Sequence, residues 1–294
     1  MKKILLIVGL FSMLSITNSC KKTDGSINPF SSVSNFAIGS YLLLDSTISN
    51  KMNYSAITTS SVGILVHQYP GSEQVDHIDI YATAGSTYDT TKWHKVKTVA
   101  YAATGSTTLS ATGAELATAL GVPPASLAPG SSYTFYNRIF TKSGKKYDVL
   151  NTGDNSGSGL ISGAYYNSAF SFAANIVCPF VAPMAGTYKV VIDDDWQDWN
   201  DGDLVQVTDG PGANQLNLSK VWPNPAYGTI VSPLVVQVDP ATGAATVPTV
   251  TFANYGYLVT ATSGTGFVFS CTGLIKLVIN LGPYGNNRLV LQKQ

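Results

Sequence analysis

The stretch Leu274-Ile-Lys-Leu-Val-Ile-Asn-Leu281 decides the fold class. Side chains on a strand point to opposite faces in turn, so its period of two puts Ile275, Leu277, Ile279 and Leu281 on one face. A helix would need a repeat near 3.6. Working outward, Arg288-Leu-Val-Leu291 reads as a closing strand. Leu234-Val-Val-Gln-Val238 and Ala244-Ala-Thr-Val247 flank Asp239-Pro-Ala-Thr-Gly243. There Pro presets the turn and Gly accepts a positive φ, which makes a hairpin. Thr187-Tyr-Lys-Val-Val-Ile-Asp193 follows the Ala185-Gly186 break and reads as a further strand.

The first half is similar in kind. Val62-Gly-Ile-Leu-Val66, Ile78-Asp-Ile-Tyr81 and Tyr133-Thr-Phe-Tyr-Asn-Arg-Ile-Phe140 are strand candidates, and Lys142-Ser-Gly-Lys145 reads as a tight turn. One short helix is expected. Thr112-Gly-Ala-Glu115 has the form of a capping box, Leu116 and Leu120 share a face, and Gly121 with Pro123 ends it. Asn151-Thr-Gly-Asp-Asn-Ser-Gly-Ser-Gly159 is turn-rich, so a boundary is expected near 151–177. The expectation is an all-β chain with two β-sandwich or barrel-like domains, at 34–175 and 176–294.

The N-terminus carries its own message. Met1-Lys2-Lys3 is basic, Ile4 to Leu14 is apolar, and Ser15-Ile-Thr-Asn-Ser-Cys20 is polar and small, the order of a secretory signal. The apolar run falls short of the roughly 20 residues that a membrane-spanning helix needs. The cleavage region resembles a bacterial lipobox, with Ser19 before Cys20; Thr17 departs from the branched apolar residue usual there. The resemblance implies a signal peptide over 1–19 and lipidation at Cys20. The alternative is an ordinary signal with Cys20 a free thiol. Each buried lipid CH₂ contributes about 0.8 kcal/mol, so two or three acyl chains would hold the protein on a membrane. No Asp directly follows Cys20, so by analogy nothing retains the protein at an inner membrane. Residues 20–33 are polar with Gly and Pro and read as a flexible tether.

Without residues 1–19 the chain has 15 basic and 17 acidic side chains, a net charge of −2. A nucleic-acid partner would call for a basic face, and none is indicated. Charged residues make up 12% of the chain, about half the usual share. Lipidation of Cys20 would leave Cys178 and Cys271. In an oxidising compartment these form a disulfide candidate, with two buried free thiols as the alternative. In Phe267-Val-Phe-Ser-Cys271 the cysteine is in phase with Phe267 and Phe269 and is expected to share their buried face.

The order of pieces resembles accessory surface lipoproteins found beside SusC/SusD-type nutrient importers. In the first half the similar stretches are Leu109-Ser-Ala-Thr-Gly-Ala-Glu-Leu-Ala-Thr-Ala-Leu-Gly-Val122, Leu127-Ala-Pro-Gly130, Tyr133-Thr-Phe135 and Ser143-Gly-Lys145. In the second they are Gly186-Thr-Tyr188, Asp195-Trp196, Val238-Asp-Pro-Ala-Thr-Gly243 and Cys271-Thr-Gly-Leu-Ile275. The resemblance implies a SusE-like, immunoglobulin- or fibronectin-III-like first domain and a β-rich C-terminal module. It also implies a place on the outer membrane, facing the cell surface, beside an importer, with nutrient capture, often of glycan, as the role.

Asp193-Asp-Asp-Trp-Gln-Asp-Trp-Asn-Asp-Gly-Asp203 is the sharpest local feature, with six carboxylates in eleven residues. Ca²⁺ takes several oxygen ligands, so Asp193, Asp195, Asp198, Asp201 and Asp203 are candidate ligands. The spacing is not that of an EF-hand, since Gly202 at the sixth position puts Gln197 at the first. The alternative is a solvated acidic loop. Trp196, Trp199, Trp222 and Tyr227 are candidates for a glycan platform, because flat aromatic faces pack on the apolar faces of sugars. The alternative is that they cover the ends of a core. His67, His77 and His94 read as strand-surface residues. No Gly-x-Ser-x-Gly elbow, phosphate loop or zinc spacing occurs. Only two glutamates are present, Glu73 and Glu115, and Glu115 has the cap to serve. A non-catalytic binding protein is therefore expected, ahead of a structural or adhesion lipoprotein or a hydrolase using the acidic loop.

Mass spectrometry of the mature protein is expected to find Cys20 at the N-terminus, heavier by its acyl chains. An unlipidated N-terminus would overturn the anchor.

Overall fold

Residues 40–152, 167–194 and 196–294 are described by the computed structural model. The expected signal segment, Cys20, the expected tether and Asp195 lie outside them. In chain order the first module contains β1 (Leu42–Ser49), β2 (Lys51–Asn53), β3 (Ser61–Gln68), β4 (Val75–Ala84), β5 (His94–Ala100), β6 (Thr107–Thr112), α1 (Gly113–Leu120), β7 (Ser132–Thr141), β8 (Lys146–Tyr147) and β9 (Ser171–Val177). One sheet has the order β1-β3-β6; the other runs β2-β9-β7-β4-β5, with β8 on β7. Leu42, Ile64 and Leu109 from the first sheet share one core with Ile78, Phe135 and Phe172 from the second. The module is a β-sandwich.

Local chemistry explains α1. The Thr112 side chain accepts from the Glu115 N–H while the Glu115 carboxylate accepts from the Thr112 N–H, and Gly121 ends the helix at φ 69°. Leu116 is buried beneath it. Strand β9 falls within the stretch expected to be a boundary. Its Phe172, Ala174 and Ile176 alternate into the core, and it pairs in parallel with β2.

The second module contains β10 (Gly186–Asp193), β11 (Leu204–Asp209), β12 (Gln215–Lys220), β13 (Thr229–Ile230), β14 (Val235–Val238), β15 (Ala244–Val247), β16 (Val250–Asn254), β17 (Leu258–Ala261), β18 (Ser263–Phe269), β19 (Leu274–Asn280) and β20 (Asn286–Lys293). Eight of these form a closed barrel, β10-β11-β12-β14-β15-β18-β19-β20, and β13-β16-β17 make a small sheet. Inward positions such as Tyr188, Val190, Leu218, Val236, Leu277 and Leu291 fill the interior. Closure comes from β10 pairing with β20, Tyr188 opposite Lys293 and Asp193 opposite Leu289.

Phe267 and Phe269 point outward from the barrel, opposite to Val268, which lies in the core. Their expected burial on the core face is therefore corrected. Phe267 is 39% exposed, whereas Phe269 is 3% exposed. Phe269 is covered by the first module: a Cβ on Gly130, whose φ is +83°, would stand 2.9 Å from its ring. The Cys178–Cys271 disulfide lies at the same junction, its Cα atoms 6.0 Å apart. Cys178 directly follows β9, and Cys271 follows β18. Gly243, at φ +74° in the β14–β15 turn, closes the corner, where a Cβ would come within 2.8 Å of the Cys178 carbonyl oxygen. Contacts make Ser40–Gln294 one compact unit.

The bridge spans 93 residues of sequence. In the chain-entropy account that length is worth about 4–5 kcal/mol. The Cys178→Ser/Cys271→Ser variant is expected to lose most of this in urea unfolding; an unchanged midpoint would show that packing alone holds the junction.

Candidate functional site

Strand register decides which loops meet. Gln206 pairs with Lys220, Asp193 with Leu289, Asn280 with Asn286, and Ser263 with Asn280. The loops 194–203, 221–228 and 281–285 therefore share one mouth of the barrel with the β16–β17 hairpin. The disulfide lies at the opposite mouth.

The acidic loop is organised by its own carboxylates. Asp193 points into the barrel mouth and is buried. It accepts from the Trp199 N–H at 3.0 Å and from Asn287 Nδ2 at 3.1 Å. Burial pushes its carboxyl above the ordinary aspartate range, against the pull of these donors. Asp198, also buried, accepts from the Asn224 N–H at 2.9 Å and from the Tyr255 hydroxyl at 2.7 Å. Asn224 Nδ2 returns a bond to the Asp198 carbonyl at 2.7 Å. Asp198 thus fastens three loops together. Burial, reinforced by the Asp198 carboxylate, pushes the Tyr255 phenol far above its ordinary value. Outside this hub, Asp194 pairs with Arg288 at 2.5 and 3.1 Å, which holds its carboxyl below the usual range. Asp203 accepts from the Asn200 N–H at 2.8 Å. Asp201 is exposed.

This geometry bears on the candidate calcium ligands. N–H and O–H donors engage both carboxylate oxygens of Asp193 and the Oδ2 atoms of Asp198 and Asp203. Among the described residues, no group of three His, Cys, Asp or Glu side chains is arranged to hold a metal ion. His67 pairs with Asp45, His77 pairs with Asp76, and His94 opens β5, so the histidines stand apart.

The aromatic candidates divide. Trp196 sits half-buried at the centre of a ring cluster. It meets Tyr255 at 4.9 Å, Tyr284 edge-on at 5.6 Å and Trp222 edge-on at 6.2 Å between centroids. Tyr257 closes a circuit of four rings, 6.2 Å from Tyr255 and 5.9 Å from Tyr284. Tyr257 and Tyr284 are each 49% exposed. Trp222 is 1% exposed and packs on Phe252, so its place as a ligand-facing ring is corrected: it is the floor beneath Trp196. Trp199 donates its indole N–H to the Val221 carbonyl, which fixes the ring. It lines a separate cleft of about 450 Å³ with Lys220, Pro223, Pro225 and Ile230. Tyr227 is exposed and makes no ring contact among the described residues.

Sequence reasoning did not find Tyr255, Tyr257, Tyr284 or Asn224. The available signal was Asn254-Tyr-Gly-Tyr257, a turn sequence with two aromatic side chains, and Gly282-Pro-Tyr284, a second such turn. Chemically, the mouth offers broad amphipathic ring faces with amide and hydroxyl groups around them. Its two buried carboxylates are committed to holding loops. No protein-family model matches the chain, and no curated protein matches it either.

Removing the hub acceptor strands two partly buried donors, each costing about 1–2 kcal/mol. Asp198→Ala is expected to lower unfolding free energy by about 2–4 kcal/mol and Tyr255→Phe by about 1–2 kcal/mol. The double variant should lose less than the sum, because both act on one bond. Urea titration of the three proteins checks this; strict additivity would refute the hub.

Proposed function

We propose that this protein is a non-catalytic lipoprotein of the outer-membrane surface that captures glycan for a SusC/SusD-type importer. One observation carries the reading: the four-ring circuit of Trp196, Tyr255, Tyr257 and Tyr284 at the open mouth of the barrel. The Asp198 hub fixes Tyr255 and the loop that carries Trp196, and Tyr257 and Tyr284 pack against these two rings, so little ordering entropy is lost when a ligand stacks on them. Tyrosine suits sugar in particular, since it joins an apolar face to a hydroxyl. The export signal, the lipobox-like Cys20 and the order of the β modules supply the setting.

A second reading has its own observation. Ile230 and Leu258 on the small sheet stand 47% and 62% exposed, and Val231 beside it 48%. An apolar rim of this kind favours protein contact, as in a structural or adhesion lipoprotein.

A glycan array followed by calorimetry, using the chain with Cys20→Ser, separates the two. Glycan capture requires saturable binding that Tyr257→Ala and Tyr284→Ala each weaken at least tenfold, about 1.4 kcal/mol, with the urea midpoint unchanged. Absence of binding to every oligosaccharide, together with a stoichiometric protein partner that glycan does not affect, would favour adhesion.

A further inference from the structure

Five barrel strands break the usual pattern on their outer side. Outward positions on a water-facing barrel are normally polar. Here register aligns Ala244, Phe267, Lys276, Val290 and Ile192 in one row across β15, β18, β19, β20 and β10. Four of the five are apolar. Val191 and Val278 flank the row at 40% and 41% exposure. The surface between them is concave, with a volume of about 850 Å³, within the range of small-ligand clefts. Neighbouring strands lie about 4.8 Å apart, so a row over five strands is about 19 Å long.

The row is narrow. On its mouth side run Thr246, Thr265 and Arg288 with Val278 among them, and on the other side lie Leu274 and Gln292, so the apolar strip is one to three side chains wide. A stable protein interface needs more than about 1,000 Å² with a broad apolar centre. A long, thin apolar molecule matches the strip better. Charge adds a direction. Lys276 is the lysine that lines this cleft, and among the described residues no carboxylate pairs with it. Lys276 holds its place within the row, paired with Val290 on one side and Phe267 on the other.

We propose that this groove binds an anionic amphiphile: an alkyl chain laid across the strands over Val278, Val290 and Ile192, with its carboxylate on Lys276. The site is distinct from the aromatic mouth. Inward and outward positions alternate along each strand, so the groove can change without disturbing the barrel core.

The test uses the chain with Cys20→Ser, so that no acyl chain of its own competes. A fluorescent long-chain fatty acid is titrated, then displaced by palmitate and by hexadecanol. Saturable one-to-one binding is expected. Val278→Glu should weaken both competitors at least tenfold. Lys276→Gln should weaken palmitate at least tenfold and leave hexadecanol within twofold. Tyr257→Ala should change neither, which separates this site from glycan capture. The proposal is overturned if no saturable binding occurs, or if binding persists unchanged in Val278→Glu. It is also overturned if sedimentation shows a dimer that Val278→Glu dissolves while the probe does not bind, since a second copy would then be the occupant.

Discussion

The pairing of β10 with β20 is the constraint on which the second module rests. A sheet with free edges exposes unpaired backbone groups that invite association. Joining residues 188–193 to 289–293 removes both edges of this sheet at once. Closure also creates two mouths, and each must be covered by something other than strand. At one, the disulfide, Gly243 and the Phe269 contact bring the first module against the barrel. At the other the chain has only its own loops, and it seals the barrel with Trp222, Phe252 and Trp196.

The second cover requires polar support. Loops carry backbone N–H groups that water no longer reaches once rings pack over them, and each needs an acceptor. Asp193 and Asp198 supply those acceptors from inside the mouth. This explains why an acidic run lies beside aromatic residues. Neutral acceptors would serve more weakly, because hydrogen bonds to a charged group are worth about twice those between neutral ones. The burial that raises the Asp193 carboxyl is the cost of that arrangement. The exposed rings, Tyr257 and Tyr284, stand on this sealed base.

Much of the fold was legible because period two is local. Leu274–Leu281, the Asp239–Gly243 turn and the capped helix need no distant partner to be read. The cysteine pair was legible from parity, once Cys20 is set aside for lipid. Barrel closure was not, since alternation is the same in a sandwich and a barrel, and β10 and β20 lie about a hundred residues apart. Bulges blurred other strands: the register slips between Val190 and Ile192 and between Thr251 and Ala253. The direction of Phe267 and Phe269 failed for a related reason. Phase shows that two residues share a face, but the face that is buried depends on what packs there. Trp222 illustrates the same limit in a loop. Its flanking prolines mark a turn, and a turn does not say where its side chains point. The site was half legible, because Trp196 was evident while the tyrosines that complete it come from hairpins 59 to 88 positions further along.

The two proposed surfaces differ as their chemistry requires. At the mouth, rings with hydroxyl and amide neighbours present alternating apolar and polar character, which matches the faces and edges of a sugar. On the outer wall, aliphatic side chains lie in a row with one cation, which matches a chain with one head group. The same barrel can support both because its strands divide their positions by parity. Inward residues hold the fold, outward residues are free to form a groove, and the mouth is built from connections that closure leaves over. Lys276 lies between Ile275 and Leu277, two core residues 0% and 1% exposed. In the stretch that first revealed the strand, the outward positions between core residues, Lys276 and Val278, are the ones on which the proposed groove draws.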